Sequence, residues 1–338
     1  MPVPGVLNIN IGYRTMNPSF ISLDWGTSSL RAALVSADGE IMESRSAPGG
    51  VMTVKGRDFH TPLNAICKAW IDTHGCPIVA SGMIGSRQGW VEAPYLACPA
   101  TPAAAAVAFT TLSVADKVDM HIIPGVRCGG IDSIHDVMRG EETQIWGAGV
   151  DSECLCVLPG THSKWVFVGA GAMITHFATY ITGELYGLLT RHGILGRLME
   201  FGSRDDDAFQ AGVSLGLRHP NQATHVVFAA RTTRLMNELP STALPDYLSG
   251  ILIGVEVASA MASYTLNETR LVVLIGDSDL CRRYQFALEA AGLRVERTIE
   301  EATVQGHVRI AREAGIVGPR SLSGYTPVLS HAAQLADF

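Results

Sequence analysis

The chain has 338 residues, of which 47% are hydrophobic and 17% charged, with a formal net charge of −7. That is apolar material for one large domain or two ordinary ones, and the lack of any Lys/Arg block argues against a nucleic-acid surface, which shows a clustered basic footprint. No uninterrupted apolar run reaches the roughly 20 residues of a membrane helix, and the seven scattered cysteines form no C-x-x-C pair, so they read as free thiols in a reducing compartment.

The first 17 residues lack the basic start and apolar stretch of a secretion signal. They are expected to be a loose extension, with Met16 an alternative start, and the protein is expected in the cytoplasm. Order begins at Phe20. Ile21–Trp25 reads as a strand, Gly26-Thr27-Ser28 as a turn and Leu30–Val35 as a return strand. Ala37-Asp38-Gly39 then turns the chain into a third strand, Glu40–Arg45. Leu63, Ile66, Cys67, Trp70 and Ile71 recur at helical spacing and predict a helix over 59–73. A buried strand, 77–80, runs into the glycine-rich loop 81–89, a short strand is expected at 121–123 and a short helix at 139–148.

The pattern restarts after Gly149. Cys154–Leu158 is an apolar strand, Pro159–Lys164 a polar turn, and 165–168 and 172–180 return strands. Helices are expected at 183–190, 206–217, 224–239 and 245–264, a fully apolar strand at 271–275, a helix at 278–291, a strand at 294–298 and a helix at 300–313. Such a duplication is an architectural clue. It divides the chain into an extension (1–17), a first lobe (18–150), a second lobe (151–325) and a tail (326–338), with a ligand cleft between the lobes.

Three local patterns carry chemistry. In Asp24-Trp25-Gly26-Thr27-Ser28, the glycine lets backbone N–H groups converge on an anion, Thr27 and Ser28 add hydroxyls, and Asp24 at a strand end suits a hydrated Mg²⁺. The alternative is an ordinary hairpin satisfying its own backbone. Gly160-Thr161-His162-Ser163-Lys164 occupies the same place in the second unit, where Lys164 suits phosphate charge and His162 is either a donor or structural. A strand ending in Gly276-Asp277 before a helix is a nucleotide-seating arrangement. No G-x-x-x-x-G-K-[ST] is present, which excludes a P-loop kinase at motif level.

Together these segments resemble the two phosphate turns and the adenosine segment of the actin, hexokinase and heat-shock-chaperone superfamily, although Asp277 replaces a glycine often found there. The resemblance implies an α/β, two-lobed actin-like ATPase (ribonuclease H-like) fold with a central cleft, and ATP as substrate. Ser81-Gly82-Met83-Ile84-Gly85-Ser86-Arg87-Gln88-Gly89-Trp90, Arg139-Gly140-Glu141-Glu142-Thr143 and Pro159-Gly160-Thr161-His162-Ser163-Lys164-Trp165 are similar to segments of the 2-dehydro-3-deoxygalactonokinases. That likeness runs from Phe20 to the last helix. It implies transfer of phosphate from ATP, with Mg²⁺, to the 6-hydroxyl of 2-dehydro-3-deoxy-D-galactonate.

The residues suit that chemistry in their own right. Arg87 offers a planar fork for a carboxylate, Ser86 and Gln88 read hydroxyls and Trp90 supplies a flat wall; the alternative for Arg87 is an internal salt bridge. Glu141 or Glu142 is the expected proton acceptor, with Asp24 the metal ligand and a second candidate base; the alternative is that both glutamates cap their helix. The expected partners are a small sugar acid and ATP, with no nucleic acid and no membrane, and a homo-oligomer is left open. Rival readings are another actin-like carbohydrate kinase, an exopolyphosphatase-like phosphohydrolase and a nucleotide-binding sensor.

Overall fold

Alternation along the first strand sets the architecture. Ile21, Leu23 and Trp25 point to one side, and Phe20, Ser22 and Asp24 to the other. In the computed structural model, which describes residues 17–129, 134–264 and 271–318, both sides are covered. The expected extension (save Asn17) and the tail 326–338 lie outside the described residues.

The first lobe opens with an antiparallel meander, β1 (Pro18–Trp25), β2 (Ser29–Ser36) and β3 (Ile41–Pro48). Helix α1 (His60–His74) leads to β4 (Ile78–Ser81), which pairs in parallel with β1 and brings Ser81 beside Asp24. Then follow β5 (Tyr95–Ala97), α2 (Pro102–Val107), β6 (Thr110–Ala115), β7 (Val118–Ile122), β8 (Gly125–Gly129), β9 (His135–Met138) and α3 (Glu141–Gly147). The main sheet has the order β3-β2-β1-β4-β7-β6, while β5, β8 and β9 form a small sheet of their own.

The second lobe repeats the scheme. It contains β10 (Cys154–Leu158), β11 (Ser163–Gly169), β12 (Met173–Tyr180), α4 (Thr182–Arg191), α5 (Asp206–Arg218), α6 (Ala223–Val226) and α7 (Ala229–Leu235). The chain continues through α8 (Leu244–Tyr264), β13 (Leu271–Ile275), α9 (Ser278–Ala290), β14 (Arg294–Ile299) and α10 (Thr303–Glu313). The sheet order β12-β11-β10-β13-β14 matches β3-β2-β1-β4-β7 strand for strand, with an antiparallel meander followed by parallel strands. A duplicated sheet of this order is the ribonuclease H-like, actin-like architecture that the repeated turns imply.

The outer face of the first sheet packs on α1 through Leu23, Trp25, Leu63 and Trp70. The outer face of the second packs on α5, α8 and α9 through Leu155, Trp165, Phe209 and Tyr284. The inner faces share one core with α3 and α10, joining Phe20, Val35 and Val79 to Cys156, Val166 and Ile275. Thus α10, the last of the described helices, packs on the first lobe: buried His307 hydrogen-bonds Ser22 Oγ of β1 at 2.7 Å. The small sheet ties to β12, where the Asp136 carboxylate accepts from the Thr179 N–H and hydroxyl, both at 2.6 Å.

Glycines let two helix pairs touch at the backbone. On α3 and α10, a Cβ on Gly147 would lie 1.9 Å from Ala302 O, and one on Gly306 2.0 Å from Thr143 O. On α5 and α8, Gly212 and Gly250 meet the facing helix in the same way, at 2.2 Å from Tyr247 O and 2.1 Å from Phe209 O. Helix α8 is long and apolar enough to cross a membrane by length and composition. Here its buried side carries Asp246 and Glu256, each bonded to neighbours in the second lobe.

The departures from the sequence reading are of two kinds. Strands β5, β6, β8 and β9 are three to six residues long and lack the continuous apolar runs that mark β4, β10 and β13. The helix expected over 224–239 is instead two, α6 and α7, broken at Val227 and Phe228.

Replacing Gly306 with Ala is expected to cost about 1–3 kcal/mol of unfolding free energy, because backbone atoms cannot yield to the methyl as a flexible side chain would. Gly187, in α4 with open space at its Cα, serves as the control. There Gly187→Ala should stabilise by about 0.5–1 kcal/mol. Denaturant titration of both variants checks the pair.

Candidate active site

Strand alternation delivers the charged groups. Asp24 shares the inner face of β1 with Phe20 and Ser22, and Lys164 shares the inner face of β11 with Val166 and Val168. Between them stands the start of α3. Lys164 Nζ lies 3.0 Å from Glu141 Oε1 and donates to His162 O at 2.9 Å. The other carboxylate oxygen of Glu141 accepts from the Arg139 N–H at 3.1 Å. Burial pushes the Asp24 carboxyl above its ordinary value; Arg31 pulls it back, and the nearby Glu141 charge adds to the rise.

Backbone approach closes the same cluster. Gly82, with φ +89°, lies where a Cβ would sit 2.9 Å from Trp25 O and 3.4 Å from Asp24 Oδ1. A Cβ on Gly140, with φ +110°, would be 3.3 Å from the Cα of Gly82. The left-handed region suits glycine at both, so the acceptor-type loop and the α3 start press against the Asp24 strand end. Asp24, Gly82, Gly140, Glu141 and Lys164 form one chain of contacts from the first lobe to the second.

Each phosphate-type turn is anchored from behind. The Gly26 and Thr27 carbonyls accept from the N–H groups of Val51 and Met52 at 3.0 and 3.2 Å. Planar trans peptides then direct the Thr27 and Ser28 N–H groups away from that segment, and both residues are exposed. In the second turn, Thr161 O accepts from Glu184 N–H at 3.0 Å, and His162 Nε2 pairs with Glu184 Oε2 at 2.5 Å. His162 therefore anchors the turn to α4. Gly160 is open at its Cα while its carbonyl packs on Gly183, whose would-be Cβ lies 2.4 Å from it; Gly276, at φ +144°, lies beside Pro159, its would-be Cβ 3.6 Å from Pro159 O. Asp277 caps α9, accepting from Asp279 and Leu280 N–H at 3.1 Å each.

Two expected site residues are placed elsewhere. Ser163 is fully buried on the outer face of β11, where its hydroxyl bonds Tyr284 at 2.7 Å and Tyr284 donates to Glu256 at 2.7 Å. The period of two that turns Lys164 inward turns Ser163 away, so its side chain is not a phosphate donor. Glu142 is sealed: both its oxygens accept from the Gly140 N–H, at 2.8 and 2.7 Å, and Oε1 also accepts from Thr143 Oγ1. It caps its own helix, the alternative left open above. Glu141 keeps 28% of its side chain exposed and is the glutamate that faces the gap.

The loop 81–90 is divided. Ser86 is buried, with its hydroxyl unpartnered among the described residues. Arg87 is 84% exposed and 3.6 Å from Glu92, and Gln88 is exposed. Trp90 is half-buried, stacked on Phe59 at 5.8 Å and edge-on to Trp25 and His60. Its ring braces the loop against β1. Arg139 is a residue the sequence reading passed over. It stacks over Tyr95 at 4.3 Å and donates Nη2 to Ala93 O at 2.7 Å, fixing the end of the same loop to the α3 start. A single arginine before a glycine carries no sequence signal for such a brace.

Two lobes of this topology, each presenting a charged side chain of its inner face beside the start of α3, form an actin-like fold. A family model described as 2-keto-3-deoxy-galactonokinase matches residues 24–310. The 2-dehydro-3-deoxygalactonokinase of Escherichia coli K12 is 37% identical over 295 residues, covering 87% of this chain and 97% of the relative. A Rhizobium meliloti relative named for the same activity is 36% identical over 307 residues, 87% of this chain and 97% of its own. The crystal structure of a Sinorhizobium meliloti protein named likewise superposes with a TM-score of 0.79 at 35% identity, covering 87% of this chain and 98% of that one. The chain belongs to the 2-keto-3-deoxy-galactonokinase family and is a kinase.

Glu142 gives a direct handle on the site's electrostatics. Full burial, with the Glu141 charge beside it, raises its pKa from 4.5 to about 7. Between these values the unfolded chain has released a proton that the folded chain keeps, so stability falls as pH rises. The cost is absent below about 4.5 and complete above about 7, on the order of 3 kcal/mol. Glu142→Gln should remove this slope: its stability relative to the parent rises across that window. A pH-independent difference in unfolding free energy would contradict the assignment.

Proposed function

We propose that the protein transfers the γ-phosphate of ATP to the 6-hydroxyl of 2-dehydro-3-deoxy-D-galactonate; its relatives are named as 2-dehydro-3-deoxygalactonokinases. The observation that carries this reading is the contact chain from Asp24 through Gly82, Gly140 and Glu141 to Lys164, which links the two phosphate-type turns across one gap.

The N–H groups of Thr27 and Ser28 and the backbone of the Gly160-Thr161 turn, backed by Gly183, are suited to hold the β- and γ-phosphates from opposite lobes, with Lys164 neutralising charge. Gly276, beside the second turn, gives the adenosine room, while Asp277 holds the start of α9. Phosphoryl transfer needs alignment, charge neutralisation and a proton acceptor more than covalent participation by the protein. The acceptor oxygen bonds to the γ-phosphorus as the bond to the β-γ bridging oxygen breaks and ADP leaves; the hydroxyl proton passes to the Glu141 carboxylate. Glu142 does not take that role because it is sealed.

Mg²⁺ fits the residues present. The Asp24 carboxyl, already raised by burial and by Glu141, is a strand-end carboxylate whose charge a cation would relieve. One or two carboxylates completed by phosphates and water are the usual magnesium environment. When bound, Mg²⁺ would supply charge neutralisation at the phosphate oxygens. Arg87, exposed on the loop and only loosely held by Glu92, is free to turn toward the acceptor carboxylate, with Ser86 and Gln88 beside it.

A coupled ADP assay with a panel of 2-keto-3-deoxy sugar acids tests the assignment. Turnover is expected with the galactonate derivative, and ATP loss without any acceptor would instead support a hydrolase. Asp24→Asn should lower kcat by about 10²–10⁴-fold. Arg87→Lys should raise KM for the sugar acid more than KM for ATP, and an equal rise in both would remove Arg87 from the acceptor site.

A further inference from the structure

The pair that joins the lobes occupies the groups that catalysis requires. Lys164 is buried on the inner face of β11, and its ammonium is directed to Glu141 and to the carbonyl of His162, two partners for three N–H donors. Glu141 is equally committed, with one oxygen on Lys164 and the other on the Arg139 N–H. While the pair is closed, the Lys164 ammonium is turned to a carboxylate and away from any phosphate, and the Glu141 oxygen that meets it is turned away from any acceptor hydroxyl. Among the described residues, Glu142 is folded back on Gly140 and Asp24 lies against Gly82, so that Glu141 is the carboxylate paired with Lys164.

Resting on the kinase reading above, we propose that the Glu141–Lys164 ion pair is a latch opened by the polyphosphate of the nucleotide. A phosphate chain between the two turns carries more negative charge than one carboxylate and draws Lys164 to itself. Glu141 is released toward the gap while the Arg139 N–H keeps hold of its second oxygen, so the freed carboxylate stays oriented. The base thus becomes available only after the β- and γ-phosphates are seated, which makes nucleotide the first substrate to bind productively. A nucleoside monophosphate has no β-phosphate and leaves the latch shut.

The latch makes an unusual demand: removing a catalytic carboxylate must tighten nucleotide binding. Calorimetric titration of Glu141→Gln with ADP, without Mg²⁺ so that no metal ligation intervenes, should give affinity about tenfold tighter than the parent. AMP affinity should be unchanged, and kcat with ATP, Mg²⁺ and the sugar acid should fall by about 10²-fold or more. Glu141→Ala, which removes any residual bond from the amide to Lys164, should act in the same direction on ADP; thermal melts establish that both variants are folded. Unchanged or weaker ADP binding in the folded variants would overturn the latch, even if kcat falls as the base assignment requires. Tighter ADP binding with kcat preserved would support the latch and remove Glu141 as the base.

Discussion

The backbone contact between α3 and α10 governs the spacing of everything above it. Gly147 and Gly306 remove the two side chains that would hold these helices apart. The inner faces of both sheets then close on them as a single core. Helix α3 thereby presents Glu141 at one fixed height between the lobes, within reach of Lys164. An extra methyl at either glycine would act on the separation of the lobes as well as on local packing, since the core transmits displacement instead of absorbing it.

Behind the functional face, the second sheet is held by polar groups that never meet the cleft. Glu256 accepts from Trp165 Nε1 at 2.8 Å and from the Tyr284 hydroxyl, which also bonds Ser163. Burial raises the Glu256 pKa, and these donors oppose that rise. Such a network is expensive unless every member is bonded, and satisfied as it is, it fixes β11 on its outer side. Lys164, one residue along, inherits that rigidity on the inner side. On the first lobe, the packing of Trp90, Phe59 and Trp25 does the same for β1 and the loop 81–90. Both charged groups therefore project from strands whose opposite faces are locked.

Much of this was legible in the residues. The repeated strand–turn–strand units at 21–35 and 154–168 announced the duplication, because period-two burial and glycine turns are local properties. What stayed hidden was set by tertiary contacts. Ser163 reads as one more hydroxyl in a Gly-Thr-x-Ser turn, and only the start of β11 at that residue turns it toward Tyr284. Glu141 and Glu142 are adjacent and chemically alike; which of them caps the helix and which faces the gap is decided by how the chain enters at Gly140. The brace from Arg139 to Ala93 and Tyr95 spans more than forty positions, and no spacing rule anticipates it.

A crystal structure of the protein with a non-hydrolysable ATP analogue and the sugar acid bears most directly on the central claim, that two distant turns grip one triphosphate beside Glu141. The account predicts the β- and γ-phosphates between the Gly26–Ser28 and Gly160–Thr161 backbones, with Lys164 on phosphate and the acceptor hydroxyl within hydrogen-bond reach of Glu141. Phosphates seated on one lobe alone, with the Glu141–Lys164 pair intact, would contradict it.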